Sequence, residues 1–119
     1  MKQTVRLNVA LTIHDGKLSV FEEIAKTMTA GTRKEPGALA YDWHFSADRK
    51  RCRLVETYVN ADALVAHFKG PVMQQFVPKM VEVSSVDRFE VYGDPSPRGT
   101  QMLAPFGAEI FSDWQSLGR

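Results

Sequence analysis

Apolar and polar residues alternate along the start of the chain, with Val5, Leu7, Val9, Leu11 and Ile13 set against Arg6, Asn8, Ala10 and Thr12. Period two over this length predicts a strand with one side buried. Asp15-Gly16 supplies a turn. Leu18, Phe21, Ile24, Ala25 and Met28 then recur at helical spacing with Glu22, Glu23 and Lys26 between them, so an amphipathic helix is expected to end near Gly31. Glu35-Pro36-Gly37 reads as a connector. Leu39, Tyr41, Trp43 and Phe45 alternate with Ala40, Asp42 and His44 to give a second strand, and the polar turn Ser46 to Lys50 leads into a third, Leu54 to Val59. These two strands form a hairpin.

Asn60 ends the third strand and is a good helix N-cap, and Asp62 places a negative charge in the first turn. Leu64 and Phe68, four apart, mark the buried side of that helix, with His67 on or beside it. Gly70 stops it and Pro71 opens a second segment, in which Met73, Phe76, Val77 and Met80 recur at helical spacing; Pro78 is expected to bend or split that segment. Val86 to Tyr92 makes a last strand. The order is β-α-β-β-α-β, the split pattern of a ferredoxin-like antiparallel sheet with helices on one face, an α+β fold over residues 1–93. Helices cover only one face, so a homodimer with two sheets packed face to face is expected to cover the other. Residues 94–119 are an extension: Asp94 to Gly99 reads as a stiff linker, after which Met102, Leu103, Phe106, Ile110, Phe111 and Trp114 call for docking. Gly107 to Phe111 is read either as an edge strand, on its own or a partner subunit, or as a loop lying on its own subunit.

Composition narrows the function. A chain of 119 residues with 44% hydrophobic residues holds one core, and 15 basic against 14 acidic residues give no electrostatic case for nucleic acid or an anionic membrane. The single cysteine, Cys52, forms no internal disulfide, and without an apolar leader pattern a cytoplasmic location is expected. No Cys/His spacing suits a metal and no glycine-rich loop suits a phosphate, so neither metal nor cofactor is expected. The run Arg49, Lys50, Arg51 and Arg53 is a solvated turn.

The phrase Glu56-Thr57-Tyr58, followed by Asn60, Ala63-Leu64 and Ala66-His67-Phe68, in this order of elements, resembles the antibiotic biosynthesis monooxygenase family, as does Glu35-Pro36-Gly37-Ala38-Leu39 before the second strand. The resemblance covers roughly Val5 to Tyr92. It implies a dimeric α+β barrel and a small-molecule substrate, in several members a phenol, quinol or polyketide anthrone oxidised by dioxygen without metal or flavin. Other members degrade haem, isomerise small sugars, or have no known activity. Where members often carry a second histidine after the helix, this chain reads Pro71-Val72-Met73. The haem-degrading branch uses an asparagine on the first strand, to which Asn8 is the nearest counterpart, one residue out of register.

Chemistry without a cofactor needs a substrate that ionises to an electron-rich anion, a base to take its proton, and donors for the developing oxyanion. His67 is the candidate base, against the alternative of a core histidine bonded to a backbone or carboxylate partner. Glu56 either orients His67 or a substrate hydroxyl, or pairs with Arg53, Arg88 or Lys79. Asn8 is unusual inside a strand and is taken as a third catalytic candidate. Tyr58, Tyr41, Trp43, Phe76 and Met73 are the candidate substrate-binding residues, each with core packing as the alternative. Two function classes follow: a cofactor-independent monooxygenase, or a non-catalytic binding dimer or isomerase on the same fold.

Overall fold

The computed structural model describes residues 3–119, so Met1 and Lys2, where the expected domain begins, lie outside the described residues. Strands β1 (Val5–Ile13), β2 (Ala38–Phe45), β3 (Arg51–Tyr58) and β4 (Ser84–Tyr92) lie in the order β2-β3-β1-β4, each antiparallel to its neighbour. Helix α1 (Leu18–Thr32) connects β1 to β2, and α2 (Ala61–Lys69) and α3 (Pro71–Val83) connect β3 to β4. This is the expected ferredoxin-like α+β fold.

The alternation in β1 decides which face is covered. Val5, Leu7, Val9 and Leu11 are buried, and pairing places Tyr58, Glu56, Leu54 and Cys52 of β3 beside them on the same face. Phe21, Ala25 and Met28 of α1, Leu64 and Phe68 of α2, and Met80 of α3 close over that floor. Full burial of a side chain such as Leu64 or Phe21 stabilises the fold by roughly 1.5–3 kcal/mol. The opposite face, with Arg6, Asn8, Asp42, His44, Arg53 and Arg88, carries no helix, and the sheet stays open in the single chain.

Local chemistry sets the helix ends. Asn60 is extended and its Oδ1 accepts the Ala63 amide at 2.9 Å, the cap the sequence predicts. Gly70 leaves α2 in an extended conformation, and Pro71 begins α3 where its missing N–H costs nothing. Pro78 does not split the second segment, because α3 runs through it as one helix.

One further expectation is corrected in the tail. Residues 96–99 are not a stiff linker but the first turn of a fourth helix, α4 (Ser96–Leu103). Prolines are tolerated in a first turn, and the Asp94 and Ser96 side chains accept the amides of Ser96 and Gly99 at 2.9 and 3.2 Å. After a 3-10 turn at Ala104–Phe106, β5 (Glu109–Phe111) joins the edge of its own sheet beside β4, parallel to it, so the sheet is not wholly antiparallel. Among the described residues, no helix is long and apolar enough to cross a membrane.

Candidate functional site

The site begins where α1 ends. Beyond Thr32 the backbone turns, with the Lys34 amide on the Gly31 carbonyl at 3.2 Å and the Glu35 amide on that of Thr32 at 2.9 Å. Two residues on, the Gly37 carbonyl accepts the Val59 amide at 2.9 Å, and a Cβ at Gly37 would stand 2.5 Å from that of Ala63 in α2. Only glycine lets this loop lie flush on α2. The seating brings Glu35 Oε1 to 2.8 Å from Nδ1 of His67.

His67 is 0% exposed, enclosed by the rings of Tyr41, Tyr58 and Phe68 at centroid distances of 5.4, 5.4 and 5.5 Å. Burial pushes the imidazole pKa down, and the Glu35 charge and hydrogen bond oppose it only in part. The ring is therefore neutral at neutral pH, and the contact with Glu35 is a hydrogen bond, not an ion pair. Nδ1–H donates to the carboxylate, which leaves Nε2 with its lone pair, buried and without a partner. This is the tautomer a base requires.

Glu56 lies opposite Leu7 on one side and Tyr41 on the other, on the helix-covered face. It is not paired with Arg53, Arg88 or Lys79, and it makes no hydrogen bond to His67; the Tyr58 hydroxyl donates to its Oε1 at 2.5 Å. The register explains this, because Arg53 and Arg88 belong to the opposite face. Burial pushes the Glu56 carboxyl up to about 7, helped by the charge of Glu35 and opposed by the Tyr58 hydrogen bond. Burial and the charge of Glu56 also raise both phenols, Tyr41 and Tyr58, so they stay protonated as hydrogen-bond donors.

The other candidates are not gathered into one pocket. Trp43 donates Nε1–H to Thr29 Oγ1 at 2.8 Å and lines a groove of about 320 Å³ between α1 and β2, with Phe21 and Phe45. Met73 lines a second groove of about 320 Å³, between α3 and the C-terminal segment, together with Phe68. Phe76 is half-buried, with the Lys79 ammonium 5.3 Å from its ring. Asn8 sits on the open face, between Val55 and Glu90 of the flanking strands, away from His67. Its Oδ1 is buried without a partner. Glu35, the residue that orients His67, is not among the candidates read from the sequence; its loop carries a turn signal and part of the family resemblance, neither of which points to His67, 32 positions away. Among the described residues, no three His, Cys, Asp or Glu side chains are grouped to hold a metal ion.

Comparison with known proteins bears on this arrangement. Residues 4–79 match the model of the antibiotic biosynthesis monooxygenase family. A conserved protein of unknown function from Bacteroides thetaiotaomicron, described as a "possible oxidoreductase", is 32% identical; the match covers 76% of this chain and 97% of that one, with a TM-score of 0.70. MupZ from Pseudomonas fluorescens shares the fold at 22% identity, over 98% of this chain and 95% of its own, with a TM-score of 0.84. A point variant of SnoaB, a cofactor-independent oxygenase from Streptomyces nogalater, superposes at a TM-score of 0.71 with 14% identity, over 98% of this chain and 99% of its own. No curated protein matches.

Proposed function

This chain belongs to the antibiotic biosynthesis monooxygenase family, and from that premise we propose that it oxygenates a small phenol, quinol or anthrone-like substrate with dioxygen and no cofactor. The observation that supports the reading is the buried, neutral His67, held by Glu35 through Nδ1 with Nε2 unpartnered. For an anthrone, Nε2 takes a proton from the acidic carbon, and the electron-rich anion then passes electrons to dioxygen. One oxygen atom is retained as the new carbonyl and the other leaves as water. Tyr41, which remains protonated, is the donor at hand for a developing oxyanion, whereas the one hydroxyl hydrogen of Tyr58 is already given to Glu56. Glu56 has a pKa of about 7 and can hold or release a proton near neutrality.

Because His67 is sealed, substrate reaches Nε2 only when one of the rings packed on it, Tyr41, Tyr58 or Phe68, swings aside. The same enclosure favours the second reading, a binding dimer or isomerase in which His67 only anchors the Glu35 loop. Metal-stripped protein turning over anthrones, hydroquinones and catechols under ¹⁸O₂ distinguishes the two. One labelled oxygen in the product supports oxygenation; product oxygen drawn from water, or no turnover by folded protein, supports the second reading.

The working form in this proposal is a homodimer joined through the helix-free face of the sheet. The helices of the single chain cover only the other face and leave this one open, which supports it. Light scattering behind size exclusion should give twice the chain's 13.4 kDa, and a monomer at micromolar concentration would remove this part.

A further inference from the structure

The groove between α1 and β2 is apolar along its length and charged at its ends. On the helix side its lining runs from Phe21 to Arg33, about 18 Å at 1.5 Å per residue, and Trp43 and Phe45 of β2 face it from the strand. A volume of about 320 Å³ spread over that length is long and narrow, a shape that suits a chain better than a fused ring system. Phe21 and Ala25 are buried and Trp43 and Phe45 half-buried, with Phe21 meeting the two strand rings at 5.8 and 6.0 Å. The polar groups midway are spent: Trp43 gives its indole hydrogen to Thr29, and Thr29 gives its hydroxyl hydrogen to the Ala25 carbonyl at 2.8 Å. At the Phe45 end, Glu22 is matched by Arg49 at 3.2 Å, and the same guanidinium lies 4.6 Å from the Phe45 ring. Arg33 lines the other end, and among the described residues it pairs with no carboxylate.

We infer that this groove binds an unbranched aliphatic carboxylate, with its chain laid along Phe21, Ala25 and Trp43 and its head on the guanidinium of Arg33. The pairing follows from charge and geometry, because a guanidinium takes both oxygens of a carboxylate in two parallel hydrogen bonds. The chain needs only apolar contact, which is what the middle of the groove offers. Lys26 also lines the groove, but it is held at 3.6 Å by Glu23 with both side chains well exposed, so it adds little. The site is distinct from that of His67: Trp43 packs on Tyr41 at 5.7 Å, and only then does Tyr41 pack on the imidazole at 5.4 Å. Trp43 shares the helix-covered face with Tyr41, so the groove stays open in a dimer joined through the other face. None of this rests on the oxygenase reading.

Octanoate, with octan-1-ol as its uncharged counterpart, provides the test. Each is titrated, below any micelle formation, into protein labelled with ¹⁵N and at its alanine methyls. The Trp43 indole and the methyls of Ala25 and Ala30 should move with both compounds, and octanoate should bind roughly tenfold tighter, the factor a charged hydrogen bond supplies. Arg33→Gln changes an exposed side chain and should bring octanoate down to the affinity of the alcohol while leaving the alcohol unchanged. Ala30→Trp, which fills the groove from its exposed side, should abolish binding of both. Acid and alcohol bound equally by the wild type, an acid preference that survives in Arg33→Gln, or shifts confined to Met73 and Met102 of the other groove would overturn the proposal, as would no shift at millimolar octanoate.

Discussion

Glu56→Gln keeps the shape of the buried side chain and its ability to accept from Tyr58, and removes only the ionisation. In the folded chain the carboxyl titrates at about 7 instead of the ordinary 4.5, chiefly because burial disfavours its charged form. The folded state thus binds this proton more tightly than the unfolded chain does. The resulting stabilisation is fully present below about 4.5 and is lost as pH rises through about 7. At about 1.4 kcal/mol for each pH unit, the difference amounts to about 3 kcal/mol. Urea unfolding of the wild type and Glu56→Gln at pH 4.5, 5, 6, 7 and 8 isolates the effect, because every other titrating group cancels in the difference between the two curves. The variant should gain on the wild type by about 3 kcal/mol across the series, most steeply between pH 5 and 7. Tyr58→Phe provides a second arm, since removing the donated hydrogen bond moves the midpoint still higher. A difference that stays constant across the series would refute the assignment to Glu56 of a buried carboxyl that keeps its proton up to about pH 7.

Two further substitutions probe the loop that carries Glu35. Glu35→Ala frees His67 to adopt either tautomer, so oxygen uptake should fall at least tenfold while the Tyr58–Glu56 pair is kept, and ¹⁵N shifts of the His67 ring should report the mixed tautomers. Gly37→Ala forces a Cβ to within 2.5 Å of Ala63, so thermal unfolding should show a loss of roughly 1–3 kcal/mol together with a weakened Glu35–His67 hydrogen bond.

The β-α-β-β-α-β order was legible because each element carries its own local signal: alternation in β1 and β2, and in α2 the Asn60 cap, the Leu64–Phe68 stripe and the Gly70 stop. Helix α4 was hidden by its own composition, since Pro95 and Pro97 signal a linker unless they fall, as here, at a capped first turn. The site was legible only in part. His67 and the face it shares with Leu64 follow from helical spacing, and Glu56 and Tyr58 share a face by period two. That same period puts Asn8 on the side opposite Leu7 and Val9, so its distance from His67 was already implied by the alternation. Glu35 carries no comparable signal. Its role arises from a turn after α1 and the close contact between Gly37 and Ala63, both of which depend on how α2 packs against the loop.

Whether His67 is the base is decided by the rate of oxygen uptake by metal-stripped protein with an anthrone or hydroquinone, for the wild type and for His67→Gln, which fills the same space without a basic nitrogen. Uptake by the wild type should depend on substrate and should fall roughly 10²- to 10⁴-fold in the variant, with the fold intact by circular dichroism. Uptake that is equal in the two proteins would show that His67 is a packed core residue and that the base lies elsewhere.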